Sequence, residues 1–330
     1  MVLDVAWMAV PLADMPALAQ AAESIGFAGA WTSETQHDPF LPLALAAEHT
    51  QRLSLGTAVA IAFARSPLTL AHTAWDLAAH SRGRFILGLG TQIKAHIERR
   101  FGLPWPESPV AQLREQVLAI RAIWRAWQSG ERLNFRGERY KLTLMTPFFD
   151  PGPIADPAIP IYLSGVNLGL ARLAGEVADG FHVHPFHTAA YLREIVRPAL
   201  LTGRAGTAFS APPSVSATVF TITAPAERDS VRQQIAFYGS TPSYRSVLAH
   251  HGWAELGERL SALAARGRWA EMPAMIGDDQ LSVFALEAPL AELGPALRER
   301  YGGLLDRVTL YRPFRPGETD AAWGRLIQDL

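Results

Sequence analysis

The sequence predicts an α/β fold in which eight parallel strands close into a (β/α)8 barrel with insertions. Short apolar runs alternate with helical patterns along most of the chain, which is the sequence form of a parallel sheet. The 330 residues also suit one barrel of about 250 residues plus insertions. We therefore expect a single domain over residues 1–330, with insertions near 130–160 and 240–285.

Eight apolar segments qualify as strands. The run 53–64 lies between Arg52 and Arg65, and its 12 residues are too few to span a bilayer, which takes about 20. It is therefore interpreted as a strand that is covered on both faces. The predicted strands are residues 3–9, 28–32, 53–64, 84–88, 161–163, 180–184, 215–222 and 306–311.

Helical spacing and local start and stop signals predict the helices. Ser66 and Pro67 begin a helix, because the fixed φ and missing N–H of proline suit the first turn. This helix ends at residues 81–83, and Gly26 ends an earlier one. The strand after Gly83 runs into a Gly-Leu-Gly-Thr turn at its carboxyl end, where α/β folds bind ligands. Other predicted helices are residues 15–25, 108–127, 168–178, 189–200, 226–237, 241–276 and 321–330.

Composition excludes several classes of partner. The net charge of -1 provides no basic field for nucleic acid. The absence of cysteine excludes disulfides and thiolate metal sites, and it fits a reducing compartment. The first ten residues lack the basic region of a secretory signal. These observations predict a cytoplasmic protein that acts on a small molecule, with neither nucleic acid nor membrane as a partner.

The stretch from Arg65 to Gly90 carries characteristic residues at fixed spacing. It resembles the corresponding stretch of the luciferase-like superfamily, which covers flavin-dependent monooxygenases and oxidoreductases that use the deazaflavin coenzyme F-420. The resemblance implies a barrel oxidoreductase and leaves the particular reaction open. The matching residues are Arg65, Pro67, Ala74, Asp76, Ser81, Gly83, Arg84, Phe85, Leu87, Gly88, Leu89 and Gly90.

Two turns that follow strands are candidates for binding a cofactor phosphate. Small residues let backbone N–H groups approach a phosphate, and the next helix adds the positive end of its dipole. Ordinary strand-to-helix connections look the same. Residues 162–181 resemble the segment with which luciferase-like enzymes hold the phosphate, which implies that role for Gly165, Val166 and Asn167. The full candidate set is Gly90, Thr91, Ser164, Gly165, Val166 and Asn167.

The third predicted strand is a candidate for the cofactor ring. Members of the superfamily often place a non-proline cis peptide in this strand, behind the ring. Counted back from Arg65, the matching bond is Ala58–Val59, so the resemblance implies that both residues contact the cofactor. The alternative is a plain buried strand.

The polar loop after the second strand is the candidate for proton transfer. Deazaflavin members commonly carry Asp-His directly after Trp-x-Ser/Thr, whereas here Glu34 and Thr35 follow and the histidine is His37. The family's glutamate after Gly-Thr-Gly is also absent, since Gln92 follows Thr91. A histidine near its usual pKa of about 6.5 is an effective acid or base, and a carboxylate can orient it. We predict His37, supported by Glu34, as the catalytic group; the alternative is that His37 caps the next helix.

The strand 180–184 contains His182 and His184. Residues two apart share a face of a strand, so both can point into the barrel, and His-x-His is a metal-ligand spacing. This pattern leaves a metal-dependent barrel hydrolase as an alternative. Such hydrolases typically carry the motif on their first strand, however, and no cysteine or obvious bridging lysine assists here. We predict no metal and assign His184 to the polar wall around a flavin-type ring.

These candidates predict hydride transfer between coenzyme F-420 and a small organic substrate. The loop from Glu34 to His37, the strand end at 182–187 and the block from Tyr238 onward resemble a deazaflavin-assigned subgroup. The alternative is an FMN-dependent monooxygenase that uses reduced flavin and O2 and needs a flavin reductase as partner. A hydrolase and a non-catalytic cofactor-binding protein are further alternatives. The resemblance also implies a homodimer.

Overall fold

The computed structural model of the protein describes residues 1–317 and 319–330. Most strands begin and end within two or three residues of their predicted bounds. In chain order they are β1 Val2–Trp7, β2 Gly29–Thr32, β3 Ser54–Thr57, β4 Ala60–Ile61, β5 Phe85–Gly90, β6 Phe135–Arg136, β7 Lys141–Leu142, β8 Ile161–Gly165, β9 Gly180–Val183, β10 Ser214–Ile222, β11 Ala285–Glu287 and β12 Arg307–Leu310.

The helices lie between these strands. Within the described residues, none is both long and apolar enough to cross a bilayer. In chain order they are α1 Met15–Ile25, α2 Leu41–His49, α3 Pro67–His80, α4 Lys94–Arg99, α5 Pro109–Ser129, α6 Leu168–Val177, α7 Ala189–Tyr191, α8 Arg197–Arg204, α9 Arg228–Gly239, α10 Arg245–His250, α11 Ala254–Ala265, α12 Asp278–Phe284, α13 Leu293–Tyr301 and α14 Asp320–Gln328.

Parallel strands form a closed ring in the order β1, β2, β3, β5, β8, β9, β10 and β12. The ring closes because β12 pairs with β1 and β9 pairs with β10. This arrangement confirms the predicted (β/α)8 barrel. Beside it, β11 pairs with the carboxyl half of β10, and β6 and β7 form an antiparallel hairpin within the predicted insertion.

The third strand is shorter than predicted. Residues 53–64 were expected as one strand, but β3 and β4 are separated at Ala58–Val59, and a 3-10 turn at Ala62–Ala64 follows. The peptide bond between Ala58 and Val59 is cis, as the resemblance implied. The apolar pattern cannot reveal this break, because the residues of the run are buried or half-buried on both sides of it.

Helix α3 begins and packs as its sequence predicts. The Ser66 side chain accepts the N–H of Thr69 at 3.1 Å, and Pro67 occupies the first turn without the loss of a hydrogen bond. An apolar stripe then lies against the sheet and α5. Its buried members include Leu70, Ala74, Leu77 and Ala78.

The long helix α5 covers the outside of the barrel. Its aromatic residues serve packing: Trp124 Nε1 donates to the Ala71 carbonyl at 3.1 Å, and Trp127 is 1% exposed. The buried stripe confirms the predicted core positions, which are Leu113, Val117, Ile120, Ile123, Trp124 and Trp127.

Candidate active site

The carboxyl ends of the barrel strands surround an open mouth. Side chains alternate along a strand, so Arg307, Thr309 and Tyr311 share the inward face of β12. Arg307 lies inside the barrel beside Asp4, whereas Tyr311 follows the last residue of the strand and is half-buried. The other partly exposed residues at the strand ends include Ala6, Ser33, Glu34, Ala58, Val59, Thr91, Ser164, Gly165, His184 and Thr218.

Below the mouth, a buried ion pair and aromatic rings fill the barrel. The Asp4 carboxylate accepts hydrogen bonds from Arg307 at 2.7 and 2.8 Å and from Trp31 Nε1 at 2.8 Å. Burial raises the pKa of Asp4, and Arg307 opposes that rise. Trp31 packs against Tyr162, and Gly56 leaves room for it, since a Cβ on Gly56 would lie 2.3 Å from the indole ring. A ligand that enters from the mouth therefore binds above this layer.

The cis bulge between β3 and β4 is held by the end of β2. The Ala58 N–H donates to the Thr32 carbonyl at 2.7 Å, and the Glu34 N–H donates to the Val59 carbonyl at 3.2 Å. The Ser33 hydroxyl donates to the Ala58 carbonyl at 2.8 Å. These three hydrogen bonds fix the bulge and leave the Ala58 and Val59 side chains half-buried at the mouth.

Three of the predicted cofactor segments meet at Gly90. A Cβ on Gly90 would lie 2.5 Å from Val59 Cγ2 and 4.0 Å from the Ser164 Cβ. The backbone N–H of His184 donates to the Gly165 carbonyl at 3.1 Å, which brings the end of β9 to the same edge of the barrel. The structure therefore brings together the predicted cofactor residues that follow β3, β5, β8 and β9.

In the turn from β8 into α6, the Asn167 side chain and the first N–H groups of the helix are available to a ligand. Asn167 is exposed, and its side chain makes no capping hydrogen bond. The first N–H groups of a helix have no intrahelical acceptor, and the helix dipole favours an anion there. Val166 is buried, and its carbonyl accepts the Tyr191 hydroxyl at 3.1 Å. The turn is thus held through Val166 while the end of α6 stays open.

His184 is a neutral hydrogen-bond donor. Its Nδ1 accepts the Phe186 N–H at 3.1 Å, so the proton of the neutral ring belongs on Nε2. Burial lowers the pKa of His184 to about 3, and nearby His187 adds to the effect. Its ring stacks on Tyr244 with centroids 4.2 Å apart. At working pH, His184 therefore offers an N–H to a ligand without carrying charge.

The two histidines of the His-x-His motif have separate environments. His182 Nδ1 lies 3.1 Å from Ser216 Oγ, and its ring packs edge-on against Trp31 at 4.6 Å. Burial lowers the pKa of His182 to about 3. His182 thus belongs to the filled interior and His184 to the mouth. Across residues 1–317 and 319–330, no group of three or more His, Cys, Asp or Glu side chains is placed to hold a metal ion.

The structure does not pair His37 with Glu34. Glu34 is 8% exposed, and its carboxylate accepts Arg65 Nη1 at 2.6 Å and the Ile61 N–H at 2.7 Å. His37 is exposed and forms no hydrogen bond with Glu34 or with any other described residue. Asp38 Oδ1, not His37, accepts the N–H groups at the start of α2. Glu34 therefore braces the loop against Arg65 and does not orient an imidazole.

A continuous wall of rings forms the opposite side of the mouth. Tyr238 lies edge-on to His184 at 4.8 Å, and Phe220 lies 4.9 Å from Tyr311. The Tyr238 and Tyr311 hydroxyls are 3.0 Å apart. Of these residues only His184 was predicted from the sequence, although the place of Tyr311 at the end of the last predicted strand was a usable signal. We call these residues the aromatic wall: His184, Phe220, Tyr238, Tyr244 and Tyr311.

The fold is that of a cofactor-binding barrel, with a cis bulge and an open turn before α6. Comparison with known proteins identifies the family. The luciferase-like monooxygenase family model matches residues 5–307, so the chain belongs to that family. An uncharacterised protein of Mycobacterium tuberculosis is 47% identical over 301 residues, which are 88% of this chain and 87% of that protein. An F-420-dependent glucose-6-phosphate dehydrogenase of Nakamurella multipartita is 35% identical over 199 residues, 56% of each chain.

Solved structures share the fold. The coenzyme F-420-dependent tetrahydromethanopterin reductase of Methanopyrus kandleri has a TM-score of 0.79 and 22% identity, over 100% of this chain and 98% of that one. An FMN-bound monooxygenase component of Pseudomonas putida has a TM-score of 0.67 and 15% identity, over the same shares. At these identities the likeness concerns the fold alone.

Proposed function

We propose that this protein is an oxidoreductase that transfers a hydride between coenzyme F-420 and a small organic substrate. The observation that carries the proposal is the meeting of Val59, Gly90 and Ser164 beside the open turn at Asn167. A Cβ on Gly90 would lie 2.5 Å from Val59 Cγ2, so the glycine lets the bulge pack closely against β5 and leaves a backbone edge that suits a flat ring. The N–H groups at the start of α6 suit a phosphate. Family membership and the 35% identical F-420-dependent relative support the same cofactor.

The bound deazaflavin would accept or supply the hydride, and the chain would supply orientation and hydrogen bonds. Ala58 and Val59 would support the ring, while the residues from Ser164 to Asn167 would hold the phosphate. His184 Nε2 would donate to an oxygen at the mouth. The filled interior under the mouth would keep water out from that side.

An FMN-dependent monooxygenase is the second candidate, and the FMN-bound structure of the same fold supports it. The cradle at Gly90 and the turn at Asn167 suit either cofactor, because both carry a tricyclic ring and a phosphate. This candidate requires reduced flavin, O2 and a flavin reductase as partner.

Titration of the purified protein with each cofactor distinguishes the two candidates. We expect F-420 fluorescence to respond saturably and FMN to bind at least tenfold more weakly. Asn167→Ala should weaken F-420 binding about tenfold, since a hydrogen bond to a charged group is lost, while Asn134→Ala in the β6–β7 hairpin should not. Tight FMN binding without a response to F-420 would overturn the F-420 assignment and favour the FMN-dependent candidate. We also propose a homodimer, which light scattering on the same sample tests.

A further inference from the structure

The aromatic wall carries an inference about the substrate, which rests on the proposed function. We infer that the wall binds an uncharged carbonyl or alcohol compound with an apolar body, and that Tyr311 Oη hydrogen-bonds to its oxygen. Tyr311 is suited to this because it continues the inward face of β12 into the mouth and stays half-buried there. Its ring is held against Phe220, with centroids 4.9 Å apart.

The Tyr311 hydroxyl is oriented by a second phenol. Tyr238 Oη lies 3.0 Å from Tyr311 Oη, and the Tyr311 hydroxyl donates to Gln234 Oε1 at 3.4 Å. A hydroxyl has one proton to donate and two lone pairs. Burial raises the pKa of Tyr238, and the neighbouring Tyr311 adds to the rise, so Tyr238 keeps its proton. When Tyr238 donates to Tyr311, the Tyr311 proton is donated to Gln234 at 3.4 Å, and a substrate oxygen would replace this long hydrogen bond.

The rest of the wall supplies apolar packing and one more neutral donor. Phe220 is 1% exposed and supports the Tyr311 ring from below the surface, and Tyr244 stacks on His184. His184 Nε2 carries the ring proton because Nδ1 is engaged by the Phe186 N–H. Aromatic faces bury apolar groups, and edge and face contacts favour a flat ligand. The wall therefore matches a molecule with one polar oxygen on an apolar frame.

Two of the arginines near the mouth are already paired with acids, whereas Arg245, which follows Tyr244, donates to Ser261. Arg312, next to Tyr311 in the chain, donates to Glu227 and to Thr223, each at 2.6 Å. Across the mouth, Arg65 is bonded to Glu34. A phosphate is bound best by unpaired cationic donors, and neither Arg312 nor Arg65 offers that. The wall thus differs from the expectation that the glucose-6-phosphate dehydrogenase relative would suggest.

Ligand-observed NMR titration of the full chain, with and without F-420, tests this inference. The probes are acetophenone, an uncharged aromatic ketone, and glucose 6-phosphate. We expect saturable binding of acetophenone and at least tenfold weaker binding of glucose 6-phosphate. Tyr311→Phe keeps the ring and removes one hydrogen bond, so the Kd of acetophenone should rise about tenfold. Tyr301→Phe is the matched control, since Tyr301 lies outside the wall and its buried Oη has no hydrogen-bond partner among the described residues, and it should leave the Kd unchanged.

Two results would overturn the inference: glucose 6-phosphate binding as tightly as acetophenone, or equal acetophenone affinities for Tyr311→Phe and Tyr301→Phe. Absence of acetophenone binding both with and without F-420 would also overturn it. Near-ultraviolet circular dichroism verifies that both variants fold. Failure of the proposed function gives a different result, which is the loss of any F-420 response while the wall still binds the ketone.

Discussion

The two sides of the barrel mouth are built from different groups. The side formed by the ends of β3, β5 and β8 uses small residues and backbone atoms, as at Gly90 and Asn167. The side formed by the ends of β9, β10 and β12 uses ring side chains, among them His184 and Tyr311. The first side depends on close backbone approach, and the second depends on packing between distant segments. They should therefore respond differently to acid and to substitution.

Acid should have the largest effect, and it should act on the ring side. Burial lowers the pKa of His182 and His184 to about 3 and of His187 to about 4, against about 6.5 in the unfolded chain. Below pH 6.5 the unfolded state binds protons that the native state excludes, so stability falls as pH falls toward 4. The loss approaches about 1.4 kcal/mol per histidine per pH unit. Urea unfolding at pH 7, 6 and 5 measures it.

Two controls locate this effect. His187→Gln should reduce the pH slope by about one proton. Hydrogen exchange at pH 5 should show residues 180–192 opening before residues 54–90. Equal opening of both segments would contradict the distinction between the two sides.

A side chain on Gly90 should damage the backbone side selectively. In Gly90→Val the Cβ would lie 2.5 Å from Val59 Cγ2, and the branched valine cannot move aside without moving the bulge. Overpacking costs about 1–3 kcal/mol of folding stability, and displacement of Val59 from its place at the mouth should raise the Kd for F-420 ~10-fold. Gly324→Ala is the control, because nothing lies within 4 Å of the added Cβ. Unchanged F-420 affinity in Gly90→Val would place the ring elsewhere.

Removal of Arg65 tests the brace under the loop that carries His37. Arg65→Ala leaves the Glu34 carboxylate, 8% exposed, with one fewer partner, and should cost about 2 kcal/mol of unfolding free energy. Arg114→Ala breaks a pair whose side chains are 49% and 38% exposed, and should cost at most about 1 kcal/mol. Thermal and urea unfolding compare the two. Equal costs would show that burial of Glu34 contributes nothing.

His37→Ala should have the smallest effect. The side chain is exposed and unbonded in the described chain, so stability should change by less than about 0.5 kcal/mol. Turnover with F-420 should fall by less than tenfold. A fall of about 100-fold or more, the contribution of a general acid or base, would return His37 to the reaction and require its loop to move.

The fold was predictable because it depends on local patterns. The spacing of Leu70, Ala74 and Leu77 gave α3 its buried stripe, and Ser66 with Pro67 gave its first turn. The break inside residues 53–64 was visible only through resemblance, since burial there is the same whether or not the strand continues.

The site residues that belong to local sequence motifs could likewise be predicted, and those that depend on distant contacts could not. Gly90 and Asn167 belong to contiguous motifs, so they could be identified from sequence and do lie at the mouth. Tyr238 and Tyr311 are 73 residues apart, and no local sequence pattern predicts the hydrogen bond between them. The partner of Glu34 was missed for a similar reason: Arg65 is 31 residues away, and the nearer His37 was the more obvious choice.

The ion pair of Asp4 and Arg307 beneath Trp31 fills the barrel below the mouth. A site that is closed from below fixes the order of binding. The molecule that binds deeper enters first and leaves last. Steady-state kinetics should accordingly follow a compulsory order, and an excess of the shallower reactant should trap the deeper one in place.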